Sequence, residues 1–181
     1  AACEEWIDVR AFGQVFGFND QKGMSEGIRG PVSIQSAFSV CPVMIDSMQI
    51  TKSVNGAGKG KASDTMGMKH KVTSAMYVAK GSINHQLAQK TGFTDEDAEK
   101  IKEALRTLFV NDASAARPDG SMEVCKVYWW RHNCPMGQYS SAKVHRSLKI
   151  SANTELPKCF EDYSITVEAL DGLEPEVIEG V

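Results

Sequence analysis

From Lys52 to Lys71 the chain reads KSVNGAGKGKASDTMGMKHK, with five lysines and a single acid, Asp64, in a protein whose formal net charge is −3. Gly56, Gly58 and Gly60, with Ser53 and Ser63, favour turns over any regular element. So polar a run cannot line a core, and strand-patterned residues flank it on both sides. The fold must therefore project it, most simply as the tip of a long hairpin. Two explanations of its charge stand side by side. Lysines neutralise phosphates without a fixed geometry, which suits a polyanion; equally, this is a solvated, Gly-rich loop that happens to hold lysines.

At 181 residues, 42% hydrophobic and 24% charged, the composition is that of an ordinary globular protein, and the length fits one domain with a real core. The negative net charge excludes a surface that is basic throughout, while leaving room for a local basic groove. No apolar run approaches the roughly 20 residues of a membrane span, and no signal-peptide pattern opens the chain, so no membrane partner and a cytoplasmic location are expected. Cys3, Cys41, Cys125, Cys134 and Cys159 are odd in number, widely spaced and free of C-x-x-C pairs. They read as idle thiols rather than disulfides or zinc ligands. AACEEWIDVR lacks an initiator Met and reads as one element running into another, so the chain is expected to be a piece of a longer protein.

Gly30 to Val40 alternates Val32, Ile34, Phe38 and Val40 with Ser33, Gln35, Ala37 and Ser39, the period of a half-buried strand. A second strand is expected over Asp46–Thr51 with Met48 and Ile50 inward, and a return strand over Val72–Ile83. Thr94 to Val110 is a helix: Thr94 and Asp97 have capping-box spacing, and Ala98, Ile101, Leu105 and Leu108 form one stripe. Glu123–Arg131 and Phe160–Glu168 read as strands. Ala142–Ile150 is ambiguous and is taken as a strand, although a helix would place Val144 and Leu148 together. The acidic tail from Asp171 is expected at the surface. Strands outnumber helices without βαβ alternation, which gives an α+β class with an antiparallel sheet and helices on one face.

The Gly-rich run fails as a Walker A loop, since Gly60-Lys61 is followed by Ala62 and position 55 is Asn. His70, His85, His132 and His145 are the available acid–base groups, yet no Ser/His/Asp or Cys/His spacing makes a nucleophilic site and no acidic cluster suggests a metal. His70, set between Lys69 and Lys71, fits a phosphate or base contact better than catalysis. Trp129 and Trp130 must point to opposite faces of a strand; one belongs to the core, and for the other a structural role is favoured over stacking on a base or a neighbouring subunit. Arg10, Arg29 and Arg117 sit beside turns or strand ends, where a guanidinium fork can hold a phosphate.

The ordered segments DVRAFGQVF, RGPVSIQSAFSVCPV, SDTMGMKHKVTSAMYVAKGSI, TGFTDEDAEKIKEALRTLF and NDASAARPDG resemble the backbone subunit of the type I-C CRISPR Cascade complex and its close type I-B relatives. The resemblance spans roughly Asp8 to Val167. It implies the RAMP superfamily and a modified RNA-recognition, ferredoxin-like (RRM-like) fold over 1–181, with residues 46–83 forming a hairpin thumb. The core strand and Asn/Gly-rich segment with which family members begin are absent from this sequence.

The same resemblance implies a non-catalytic protein that binds crRNA by its phosphates, assembles head to tail with copies of itself and with other Cascade subunits, and meets target DNA through the guide. No cofactor or metal is expected, and cleavage would fall to partners. Lys52, Lys59, Lys61, Lys69, His70 and Lys71 are then thumb and groove residues; Arg29, Ser33 and Gln35 lie on the strand face; Arg10 and Arg117 complete the set. Two other readings remain: a metal-independent ribonuclease using His70 or His145 as base, and a homo-oligomeric structural protein without nucleic acid.

Overall fold

The structure is a computed structural model that describes residues 2–17, 25–51 and 66–181. In chain order its elements begin with α1 (Ala2–Glu5), α2 (Ile7–Phe12), β1 (Gly13–Gly17), β2 (Ser25–Arg29) and β3 (Val32–Ile34). Then come β4 (Phe38–Ser39), β5 (Ile45–Thr51), β6 (Met66–Val72), β7 (Tyr77–Val78) and β8 (Gly81–Ile83). The rest are α3 (His85–Thr91), α4 (Asp95–Arg106), β9 (Lys126–Trp130), α5 (Ser141–Ser147), β10 (Leu148–Ala152), β11 (Tyr163–Val167) and β12 (Pro175–Glu179). Helices are few, and the described strands form six two-stranded pairs, an α+β content. The register is antiparallel for β1–β2, β3–β8, β4–β7, β5–β6 and β9–β12. The antiparallel sheet expected from the sequence is present, among the described residues, as these short pairs.

Two units are present. The first comprises Ala1–Ser36, Ala79–Lys149 and Thr166–Val181. Its core holds Val9 and Ala11 of α2, Val32 of β3, Ala88 of α3, Val144 of α5 and Leu173, with Pro31 fully buried. Pro31 anchors a junction, because its carbonyl accepts from Asn84 N at 3.0 Å while the Asn84 side chain caps α3 by accepting from Leu87 N. Backbone packs on backbone at the turn before it. A Cβ on Gly30 would lie 2.2 Å from Ala11 O, and Gly13, at φ +85°, is equally closed by Ile28 O.

α4 begins with the capping box read from the sequence: Thr94 accepts from Asp97 N, and Asp97 accepts from Thr94 N. It stops at Arg106 rather than Val110, with Thr107 as C-cap and Asn111 at φ +58°. Residues 142–150 correct the strand expectation. Ser140 accepts from Lys143 N and starts α5, which buries Val144 and Ser147 three residues apart before β10 opens at Leu148. The acidic tail lies largely at the surface, as expected, and part of it forms a strand. β12 pairs with β9, with Glu179 opposite Lys126 at 2.7 Å and Glu176 reaching Lys102 at 2.8 Å.

The second unit comprises Ala37–Val78 and Ile150–Ile165. The run from Gly30 to Val40 is interrupted between β3 and β4, and the return strand of the hairpin is β6, earlier than Val72–Ile83. Within this unit Tyr163 is buried beside Cys41, where desolvation and the thiol push its phenol pKa up. Residues 52–65, expected from the sequence as a hairpin tip, lie outside the described residues.

Candidate nucleic-acid interface

β5 and β6 pair along all seven residues, from Ile45 with Val72 to Thr51 with Met66. Residues opposite each other share a face, so the ribbon sorts into two sets. One face carries Asp46 with Lys71, Met48 with Lys69, and Ile50 with Gly67; the other carries Ser47 with His70, Gln49 with Met68, and the two ends. Lys71 Nζ lies 3.2 Å from Asp46 Oδ2, both half exposed. His70 stands on the reverse face from the two lysines, its Nδ1 2.8 Å from Ser47 Oγ. Met48 and Ile50, expected inward, are 40% and 47% exposed, and Ile45, Met66, Met68 and Val72 are exposed as well. A two-stranded ribbon is marginal in water by itself. Apolar side chains are exposed on both of its faces. Lys52, Lys59 and Lys61 lie outside the described residues.

A second polar surface lies in the first unit. Ser33 is paired with Ser82, and Gln35 N donates to Lys80 O at 2.7 Å, which continues the same register by two residues. Ser33, Ser82, Gln35 and Lys80 thus share one exposed face of β3 and β8. Ser33 and Gln35 were visible in the alternating sequence; Lys80 and Ser82 were not, because only the register tells which residues face them. Arg29, at the end of β2, is exposed and makes no ion pair among the described residues. Gly30 and Pro31 fix its backbone by close packing.

The family model for CRISPR-associated protein Cas7 matches residues 1–168. The chain belongs to the Cas7 family. No curated protein matches it. Cas7 membership makes it a CRISPR-associated protein of antiviral defence and supports an RNA-binding backbone role. In this Cas7 chain the match takes in the elements from α1 to β11, and β12 lies beyond it.

Other candidate residues of the Cas7 chain have partners within it. Arg10 holds Asp97 by two hydrogen bonds of 2.8 and 2.7 Å and also donates to Cys3 O. The Asp97 side chain is 3% exposed. The Arg10 guanidinium, outweighing burial, holds its carboxyl well below the usual carboxylate range, with Thr94 adding hydrogen bonds. Arg10 therefore joins α2 to α4 and has little left for a phosphate. Arg117 pairs with Asp112 at 2.8 Å on an exposed loop, a bond easily exchanged. That ion pair ties Arg117 to its own loop rather than to Arg29 or the strand face. His145 Nε2 lies 3.0 Å from Gly81 O, which ties α5 to β8.

The adjacent tryptophans do point apart. Trp129 lies on the α4 side, 5.6 Å beneath Lys102 Nζ, while Trp130 stacks on Tyr128 with centroids 6.1 Å apart. Among the described residues no three His, Cys, Asp or Glu side chains form a group able to hold a metal, and no helix is long and apolar enough to cross a membrane.

Proposed function

We propose that the chain is a non-catalytic, guide-RNA-binding backbone subunit of a CRISPR surveillance complex of the Cascade type. The observation that carries this is the Cas7 match across residues 1–168. On this reading the pieces belong to a modified RRM-like fold, and the β5–β6 ribbon is its thumb. Lys69 and Lys71, with Lys52, Lys59 and Lys61 at the tip, neutralise guide phosphates or those of a neighbouring copy. Arg29, Ser33 and Gln35, joined by Lys80 and Ser82, line the guide from the strand face.

Hydroxyl, amide and cation side chains grip a backbone without reading bases, which leaves the bases free to pair with target DNA. The bare ribbon suits head-to-tail contact with the next copy or with other subunits of the complex, since a heterologous interface that does not close yields a filament.

Titration of the purified chain with single-stranded RNAs of unrelated sequence tests the proposal. Affinity should be similar for all of them and fall steeply with salt. Failure to bind in low salt, or a strong preference for one sequence, would refute it.

A further inference from the structure

Apart from the ribbon and the strand face, the first unit holds an open cleft of about 410 Å³ between α5 and the turn that follows β11. That is within the size range of small-molecule sites, about 300–1,000 Å³. Tyr139, Lys143, Arg146, Ser147, Glu168 and Asp171 contribute to its lining.

The walls are tied together. Glu168 N donates to Ser147 O at 2.8 Å, Tyr139 Oη donates to Asp171 O at 2.9 Å, and Gln138 Nε2 donates to Gly172 O at 2.7 Å. Ser147 is buried, its hydroxyl turned back to Val144 O.

The charges within are unevenly matched. Glu168 is neutralised by an ion pair with Lys149. Lys143 lies over the Tyr139 ring, 4.2 Å from its centroid, so its ammonium is held in place without being neutralised. The Arg146 guanidinium is exposed and has no ion pair among the described residues. Its place in the last turn of α5 explains a cation there but leaves its fork of donors unused. Asp171 offers a carboxylate on the opposite wall.

Two cations with open donors facing one acceptor fit a ligand that carries an anion and a hydroxyl. We propose that this cleft binds a phosphate group between Arg146 and Lys143, carried either by a nucleotide or by a nucleic-acid chain, with Asp171 accepting from a sugar hydroxyl. The inference uses none of the residues assigned to guide binding above, and it can fail while that reading stands.

Nuclear magnetic resonance titration of the full chain with inorganic phosphate, 5′-AMP, adenosine and a short single-stranded RNA tests it. The signals followed are the Arg146 side-chain N–H and the backbone amides of 168–171. Phosphate and 5′-AMP should shift these signals saturably, and adenosine should not. Arg146→Ala should weaken 5′-AMP binding roughly tenfold or more, and Arg146→Lys should restore part of it. A Lys69→Ala/Lys71→Ala variant should bind 5′-AMP normally. If the RNA shifts the same signals, the phosphate comes from a chain; if only 5′-AMP does, from a free nucleotide. No shift with any phosphate probe, equal shifts with adenosine, or indifference to both Arg146→Ala and Lys143→Ala would overturn the inference.

Discussion

Arg10 grips both carboxylate oxygens of Asp97, the residue whose side chain also closes the capping box of α4. One buried carboxylate thus starts a helix and fastens α2 to it. Removing it should be costly. Asp97→Ala strands a guanidinium and deletes the half of the capping box that holds Thr94 N, with an expected loss on the order of 3–5 kcal/mol in a denaturant titration. Asp97→Asn should retain the cap and lose the ion pair, and so fall between.

The same pair sets an acid limit. The folded carboxyl is held well below the usual carboxylate range by Arg10, whereas in the unfolded chain it titrates near about 4. Between those two values the unfolded state binds more protons, so stability rises with pH there. The contribution is complete above about pH 4 and is lost as pH falls toward the depressed folded value. Melting temperature followed from neutral into strong acid should decline less steeply for Asp97→Asn than for the wild type. Parallel curves would remove Asp97 from this role.

The lysines make a separate, electrostatic forecast. Replacing Lys69 and Lys71 by Ala should weaken single-stranded RNA binding similarly for every sequence. The slope of log affinity against log salt should flatten by about 0.7 for each phosphate that is no longer neutralised. Lys80→Ala should act the same way, since it shares the strand face with Gln35. An unchanged slope in all three would place the RNA elsewhere.

Gly30 offers a steric test. A methyl group there meets Ala11 O at 2.2 Å and the Phe12 carbonyl carbon at 2.4 Å, both backbone atoms that cannot rotate away. Gly30→Ala should cost about 1–3 kcal/mol or more. It should also displace the neighbouring Arg29, lowering RNA affinity beyond the loss of stability. Thermal unfolding and RNA titration of one preparation separate the two effects.

Lys102 tethers the last strand. It bridges Glu99 and Glu176, its pKa raised first by Glu176 and then by Glu99, and it covers Trp129. Lys102→Ala should cost about 1 kcal/mol, because both acids are half exposed and regain water easily. Tryptophan emission should shift to the red as Trp129 is uncovered.

Much of the local structure was legible in the residues. The capping box at Thr94 and Asp97, the strand at β5, the aromatic strand β9 and the opposed tryptophans all follow from short-range pattern. Failures arose where a long-range partner decides the outcome. β12 is acidic and looks like a solvent tail until Lys102 and Lys126 are brought to it. α5 was hidden because Lys143, His145, Ser147 and Lys149 also alternate as a strand would, and the deciding Ser140 cap lies just before the run. At the candidate interface, the sequence pattern placed Ser33 and Gln35 on one strand face. It could not foresee that Arg10 is held by a buried acid 87 positions away, nor that Lys80 and Ser82 complete the strand face.

The ribbon's pairing has an evolutionary corollary. Lys69 and Lys71 share a face with Asp46 and Met48 only because the strands align residue by residue. Inserting one residue into either strand would turn the residues beyond it to the opposite side. Point substitutions on the ribbon should therefore be readily accepted, and so should length changes between Thr51 and Met66. Within the strands, drift in length should come in steps of two.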